Sequence, residues 1–227
     1  MIWNDHSRDV PEGAHAFLSP SQHSFLSYNK DQLFARYKAK YAAAIGTILH
    51  KFAKERIKYK IKVTRNDRKE VELELLRNGI PANVYDMGLI FDNFKAYVND
   101  AIGYQLRPEQ PLYFSKNCFG TADAIAYRPI KHDSEFTGEL RIHDLKTGTS
   151  LASMKQLELY AALFHLEYGT KPGKTKTTLC IYQSMIDDDG EVFPEINIEE
   201  PEPEIIARHM DTIITMDRWL DSFKGDE

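Results

Sequence analysis

Residues 139–148 read Glu-Leu-Arg-Ile-His-Asp-Leu-Lys-Thr-Gly, and no other stretch constrains the fold as much. Apolar and polar side chains alternate through its first part, the pattern of a half-buried strand. Side chains two apart on a strand share a face, so Leu140, Ile142, Asp144 and Lys146 lie together. A core strand with a carboxylate and an ammonium on its inward face must find partners for both, because burying either charge alone is costly. Thr147-Gly148 ends the strand, and a helix is expected to begin near Ser153. An Asp-x-Lys pair in this position is a candidate active site. The ordinary alternative is a structural ion pair, since the tripeptide is common by chance.

The flanking segments predict a mixed sheet covered by helices, an α/β (α+β) arrangement. Residues 1–18 are polar and irregular and are expected to form a flexible arm. The remainder, 19–227, reads as one domain: a helical part to 105, a sheet core over 106–200 and a last helix over 201–227. Ser19-Pro20-Ser21 has the form of a helix start. A long helical pattern runs from about Gln32 to Lys62, in one or two pieces, with Ile45, Ile48, Leu49, Phe52 and Ile57 as its core stripe. Val71–Arg77 predicts a short helix ended by Asn78-Gly79, and Val84–Gly103 a further one. Glu109–Phe114, Phe119–Tyr127 and Glu139–Lys146 predict an antiparallel meander. An amphipathic helix follows over 153–167. Thr177–Ser184 and Glu191–Ile198 are strands around a turn at Asp187–Gly190, and Pro201 and Pro203 open a helix to about Phe223.

The 227 residues contain only two cysteines, Cys118 and Cys180. Two thiols cannot build a disulfide framework or supply four ligands to a zinc or iron–sulfur site. With no apolar run long enough for a bilayer and no signal-peptide pattern, a cytoplasmic protein is expected, with no membrane partner. Net charge is −5, yet it is unevenly placed. Lys30–Lys69 holds thirteen Lys/Arg against three Asp/Glu, while Ile186–Glu227 holds fourteen Asp/Glu against three Lys/Arg. Such asymmetry suggests a polyanion partner for the basic part; a solvated basic helix and an acidic tail explain it equally well.

Candidate chemistry gathers around the Asp-x-Lys strand. Asp123 lies in Gly120-Thr-Ala-Asp123 on the preceding strand, and pairing would let it converge with Asp144. Two close carboxylates repel unless a cation joins them. Mg²⁺ or Mn²⁺ would take both, with the Leu145 carbonyl as a further oxygen. Lys146 beside them could orient water or stabilise phosphate charge. His50 follows Gly46 by one helical turn and could add a nitrogen ligand, although a lone helix histidine is more often simply packed. Gln156 and Tyr160 share a helix face and could reach a metal-bound water and a nucleotide. Glu109 opens a strand; it could aid the site, but an exposed strand-end glutamate is the usual case. Lys51, Lys54, Arg56, Lys58 and Lys62 form a basic stripe suited to sequence-independent phosphate contacts.

Together these motifs resemble the PD-(D/E)XK nucleases in their RecB-like branch. That branch has, in order, a helix with Gly-x-x-x-His, a strand with Gly-x-x-Asp, a strand with Asp-x-Lys and a helix with Gln-x-x-x-Tyr. Here they stand as Gly46–His50, Gly120–Asp123, Asp144–Lys146 followed by Thr147-Gly148, and Gln156–Tyr160. Each is weak alone; four in order are specific. The resemblance covers about Ser19 to Ser184, and within the branch the chain looks most like small bacteriophage exonucleases. It departs from the members that carry four cysteines, so no iron–sulfur cluster is expected. No helicase motif is present, so a stand-alone module is expected. The resemblance implies a restriction-endonuclease-like core and hydrolysis of DNA phosphodiesters with Mg²⁺ or Mn²⁺. It makes Asp123, Asp144 and His50 metal ligands and Lys146 catalytic. Gln156 would support catalysis, and Tyr160 and Thr147, with the lysines, would contact substrate. A single-strand-annealing or other recombination protein is a further candidate partner. An exonuclease is the first reading; the sequence does not separate it from an endonuclease, and the intact Asp123, Asp144 and Lys146 set disfavours a binding module without catalysis.

Overall fold

The computed structural model describes residues 16–130, 135–148, 152–187, 189 and 191–223. The expected arm lies outside the described residues up to residue 15, as do residues 188 and 190 of the expected turn. The chain forms two compact units, Met1–Lys40 and Tyr41–Glu227.

In the first unit Pro20 opens a 3-10 segment, Pro20–Ser27, with Ser19 as its N-cap. The helix α1, Lys30–Lys58, then starts on a reciprocal cap: Asn29 Oδ1 accepts from the Gln32 N–H at 2.9 Å, and Gln32 Oε1 accepts from the Asn29 N–H at 2.9 Å. This satisfies two donors that the first helical turn leaves open. Lys38 Nζ sits 4.7 Å from the centre of the Phe34 ring.

In the second unit α1 continues without a break to Lys58, four residues short of the expected end. The chain leaves the helix because Lys60 takes a left-handed φ of 56°. The N–H groups of Lys60 and Ile61 then bond back to Ile57 and Arg56 carbonyls, which is a Schellman ending. Ile45, Leu49, Ala53 and Ile57 form the buried face; Ile48 and Phe52 are only half-buried. Two helices follow, α2 (Arg68–Arg77) and α3 (Met87–Gly103). The latter starts at Met87 rather than Val84 because the Asp86 carboxylate accepts from the Gly88 and Leu89 N–H groups.

Five strands form one mixed sheet in the order β1 (Arg107–Ser115), β2 (Cys118–Pro129), β3 (Gly138–Leu145), β4 (Thr175–Ile186) and β5 (Val192–Glu199). Neighbours are antiparallel except β3 and β4, which run parallel. Their connection carries α4 (Lys155–Tyr168), and α5 (Pro203–Phe223) packs on α4. The fold is therefore the expected α+β class, a mixed sheet flanked by helices. Leu140 and Ile142 of β3 join Leu157 and Ala161 of α4 in the main core with Leu179, Ile181 and Ile206. His143, between them in alternation, faces the α3 side through Tyr182 and Asp100. Asp144 thus returns to the α4 side, near the end of β3.

Candidate metal centre

At the end of β3 the two charges anticipated from the alternation find each other. Asp144 is only 3% exposed. Lys146 Nζ donates to its Oδ1 at 3.1 Å and lies 3.0 Å from its Oδ2. The same ammonium donates to Gln156 Oε1 at 3.0 Å, and Gln156 Nε2 donates to the Tyr160 hydroxyl at 3.4 Å. A polar chain therefore runs from the buried carboxylate out along α4. Tyr160 in turn lies against Gly120, where a Cβ would come within 2.9 Å of its ring. Two motifs forty residues apart are thereby in contact.

Asp123 reaches this place from β2. The β2–β3 register pairs Ala124 with His143, so Asp123 and Asp144 stand opposite each other just past the last paired residues. Asp123 Oδ2 accepts the Leu145 N–H at 3.3 Å and lies 3.4 Å from His50 Nδ1. Leu145, expected to offer its carbonyl to a metal, contributes here through its N–H.

The acid that best completes the group is Glu109. An exposed strand end was the usual expectation; the residue is instead half-buried in the wall of the cleft. It stands between the pairs Pro108–Ala124 and Gln110–Ala122, opposite Asp123, with a left-handed φ of 49°. For a non-glycine residue that backbone costs roughly 1–3 kcal/mol and persists only where its surroundings hold it. His50, Glu109 and Asp123 each offer a donor atom within 4.8 Å of the others. Asp144 is not one of these three. The signal for Glu109 was in the sequence: a hairpin turn centred on Lys116 places residue 109 opposite 123. Tyr97 of α3 carried no such signal. It is 1% exposed, and its hydroxyl is pushed well above the ordinary range by burial, then by the charges of Asp123, Asp144 and Glu109.

The electrostatics show a shortage of positive charge. Burial, then repulsion from Asp144 and Glu109, pushes the Asp123 carboxyl up to about 8, against the opposing pull of the Leu145 N–H and Lys146. Asp144 Oδ2 is buried, and the Lys146 ammonium at 3.0 Å is its charged neighbour. Carboxylate oxygens with one imidazole nitrogen suit Mg²⁺, and Mn²⁺ tolerates the nitrogen better. The residues fit a divalent cation.

The group opens into a cleft of about 710 Å³ lined by Gly46, Lys51, Lys54, Lys146 and Thr147 as well as the three donors. Comparison with family models, curated proteins and solved structures gave no match. The chemistry is therefore argued from the cleft itself. Gly46 faces Thr147 Oγ1, which a Cβ would meet at 3.4 Å, so the helix glycine lets the turn after β3 lie close to α1. Thr147 Oγ1 also donates to the Ala42 carbonyl at 3.5 Å. Lys51 and Lys54 are exposed at the cleft mouth. Lys58 lies outside the cleft lining, its ammonium 5.5 Å from the Tyr59 ring centre. Arg56 does not belong to the stripe: it points elsewhere and pairs with Glu70 at 2.5 Å and Asp67 at 3.3 Å. Lys62 lies beyond the end of α1. Among the described residues no helix is long and apolar enough to cross a membrane.

Proposed function

We propose that this protein is a metal-dependent DNA nuclease of the PD-(D/E)XK kind, acting as an exonuclease in phage-type recombination, repair or DNA processing in the cytoplasm of a cell. The observation that carries this reading is the convergence of His50, Glu109 and Asp123, their donor atoms within 4.8 Å of one another, in a lysine-rimmed cleft that also holds Lys146. His50, Glu109 and Asp123 would hold Mg²⁺ or Mn²⁺, and Asp144, opposite Asp123 on the next strand, would hold Lys146. Such an ion polarises a phosphoryl oxygen and lowers the pKa of bound water.

The chain's own residues divide the remaining work. An ammonium has three N–H donors. Asp144 and Gln156 take two of those on Lys146, which leaves the third to meet an attacking water or a phosphate oxygen. The two anchors also hold Nζ in place before substrate arrives, so little reorganisation is needed when charge develops. Tyr160 offers its ring edge and hydroxyl to a nucleotide beside Gln156. Lys51 and Lys54 neutralise backbone phosphates without reading sequence. A recombination protein that anneals the exposed strand would be a natural partner of such an activity.

The test uses end-labelled linear DNA and covalently closed circles with Mg²⁺, Mn²⁺ or EDTA, for the wild type, Asp144→Ala and Lys146→Ala. Metal-dependent loss of the linear form, abolished by either substitution, is expected. Activity undiminished in both variants would overturn the site. Rapid nicking of closed circles would make the enzyme an endonuclease, and binding without cleavage under every metal would make the fold a binding module.

A further inference from the structure

A second cleft, of about 580 Å³, lies between the β1–β2 edge and the C-terminal half of α4. It shares no lining residue with the metal centre. Glu109 lines the metal cleft, while Arg107 and Gln110 on either side of it line this one. We propose that this cleft binds a phosphorylated nucleotide, a function separate from phosphodiester cleavage.

Three features define the ligand. The first is charge: Arg107 and Arg128 both line the cleft, and no carboxylate does, in a chain whose net charge is −5. Arg107 is exposed and has no ion-pair partner among the described residues. Arg128 donates one N–H to the Tyr104 carbonyl and keeps its other donors. Glu167, beside the cleft, accepts the backbone N–H of Tyr113 at 2.8 Å and also bonds to the Tyr168 hydroxyl, so its oxygens are already engaged. Guanidinium forks match phosphate oxygens better than any other common anion but carboxylate.

The second feature is a wall of aromatic rings. Tyr127 and Phe164 have centroids 5.2 Å apart, and Phe164 and Tyr168 4.8 Å apart. Phe164 is buried and backs Tyr168, whose exposed ring can stack a base of any identity. The third is a pair of amides. Gln110 donates through Nε2 to the Pro111 carbonyl at 3.0 Å, which leaves its Oε1 to accept from a base edge. Gln105, on the rim, is held at a left-handed φ of 56°, a conformation rare for a non-glycine residue. A simple acid would leave the rings unused, and a neutral aromatic would leave the arginines unused. The volume falls in the range of roughly 300–1,000 Å³ usual for small-molecule sites. Either a free mononucleotide or the terminal nucleotide of a DNA strand has this chemistry.

Calorimetric titration in EDTA tests the proposal without any cleavage, so its failure leaves the nuclease reading standing. The probes are deoxyadenosine 5′-monophosphate, deoxyadenosine, inorganic phosphate and a 5′-phosphorylated single-stranded oligonucleotide. The monophosphate is expected to bind one to one, and the nucleoside and phosphate alone much more weakly. Arg107→Ala, on an exposed side chain, should unfold at the wild-type temperature and bind the monophosphate about tenfold more weakly, the effect of losing one charged contact. Lys51→Ala should bind it as the wild type does, which places the ligand away from the metal cleft. An oligonucleotide binding far more tightly than the mononucleotide, with that excess lost in Arg107→Ala, identifies a strand end as the ligand; an oligonucleotide affinity untouched by Arg107→Ala identifies the free mononucleotide. Absence of monophosphate binding, or binding unchanged by Arg107→Ala, would overturn the proposal.

Discussion

The ring of Tyr160 occupies the space that a side chain at position 120 would need. A Cβ on Gly120 would stand 2.9 Å from Tyr160 Cε1, closer than such contacts occur. Gly120 on β2 and Tyr160 on α4 are thus one packing unit, and the tyrosine is held where its hydroxyl meets Gln156. Gly120→Ala is expected to displace the ring and cost about 1–3 kcal/mol, the usual range for overpacking. In a Tyr160→Ala background the same substitution should cost much less. Thermal unfolding of the four proteins in this cycle measures the coupling; additive losses would show that the two do not act together.

The Asp123 carboxyl makes metal binding pH-dependent. Its folded pKa of about 8 lies above its ordinary 3.8, so the folded protein binds the extra proton between these values. The stability contributed is complete below the ordinary value and is lost as pH rises through about 8. A divalent cation replaces that proton. The rise in unfolding temperature on adding Mn²⁺ should therefore be larger at pH 8 than at pH 6, and Asp123→Asn should remove this difference.

Glu109 sits at a φ of 49° beside the Asp123 carboxylate. Glu109→Gly relieves both the backbone strain and the repulsion, and should stabilise the metal-free protein by about 1 kcal/mol or more. The same variant should lose Mn²⁺ affinity, measured by calorimetry. A stability gain with unchanged metal affinity would remove Glu109 from the donor set.

His143 is fully buried, and desolvation, then the Arg141 charge, holds its imidazole down to about 3 against an ordinary 6.5. The neutral ring is the folded form. Its contribution is complete above 6.5 and is lost as pH falls toward 3, because the unfolded chain takes up the proton first. The stability of His143→Gln should fall less steeply than that of the wild type over this window in urea titrations at stepped pH.

Lys51 and Arg56 lie on one helix but have different surroundings. Lys51→Ala and Lys54→Ala are expected to weaken DNA binding and lower its salt dependence, by about one counterion for each charge removed. Arg56→Ala should leave DNA affinity unchanged and cost about 1 kcal/mol of stability, since its partners are Asp67 and Glu70. Filter binding across a salt series separates the two.

The helices and strands were legible because each has a local cause. Alternation at 139–146 marked β3, the apolar stripe from Ile45 to Ile57 marked α1, and Pro201 and Pro203 marked the start of α5. The limits that shifted did so through backbone contacts that the pattern does not carry, such as the left-handed Lys60 that ends α1. The Arg56 error has a similar origin: spacing along a helix lists the charges but not the acids of α2 that one of them faces.

The sequence by itself determined the α+β order, the Asp144–Lys146 pair on the inward face of β3, and the cluster of four short motifs. These follow from periodicity and from the cost of burying a lone charge. Only the tertiary structure decided that Glu109 joins His50 and Asp123, while Asp144 turns to Lys146. That choice depends on a hairpin register and one left-handed residue, which bring a β1 carboxylate opposite Asp123. Distances across strands are set by packing, and no local pattern contains them.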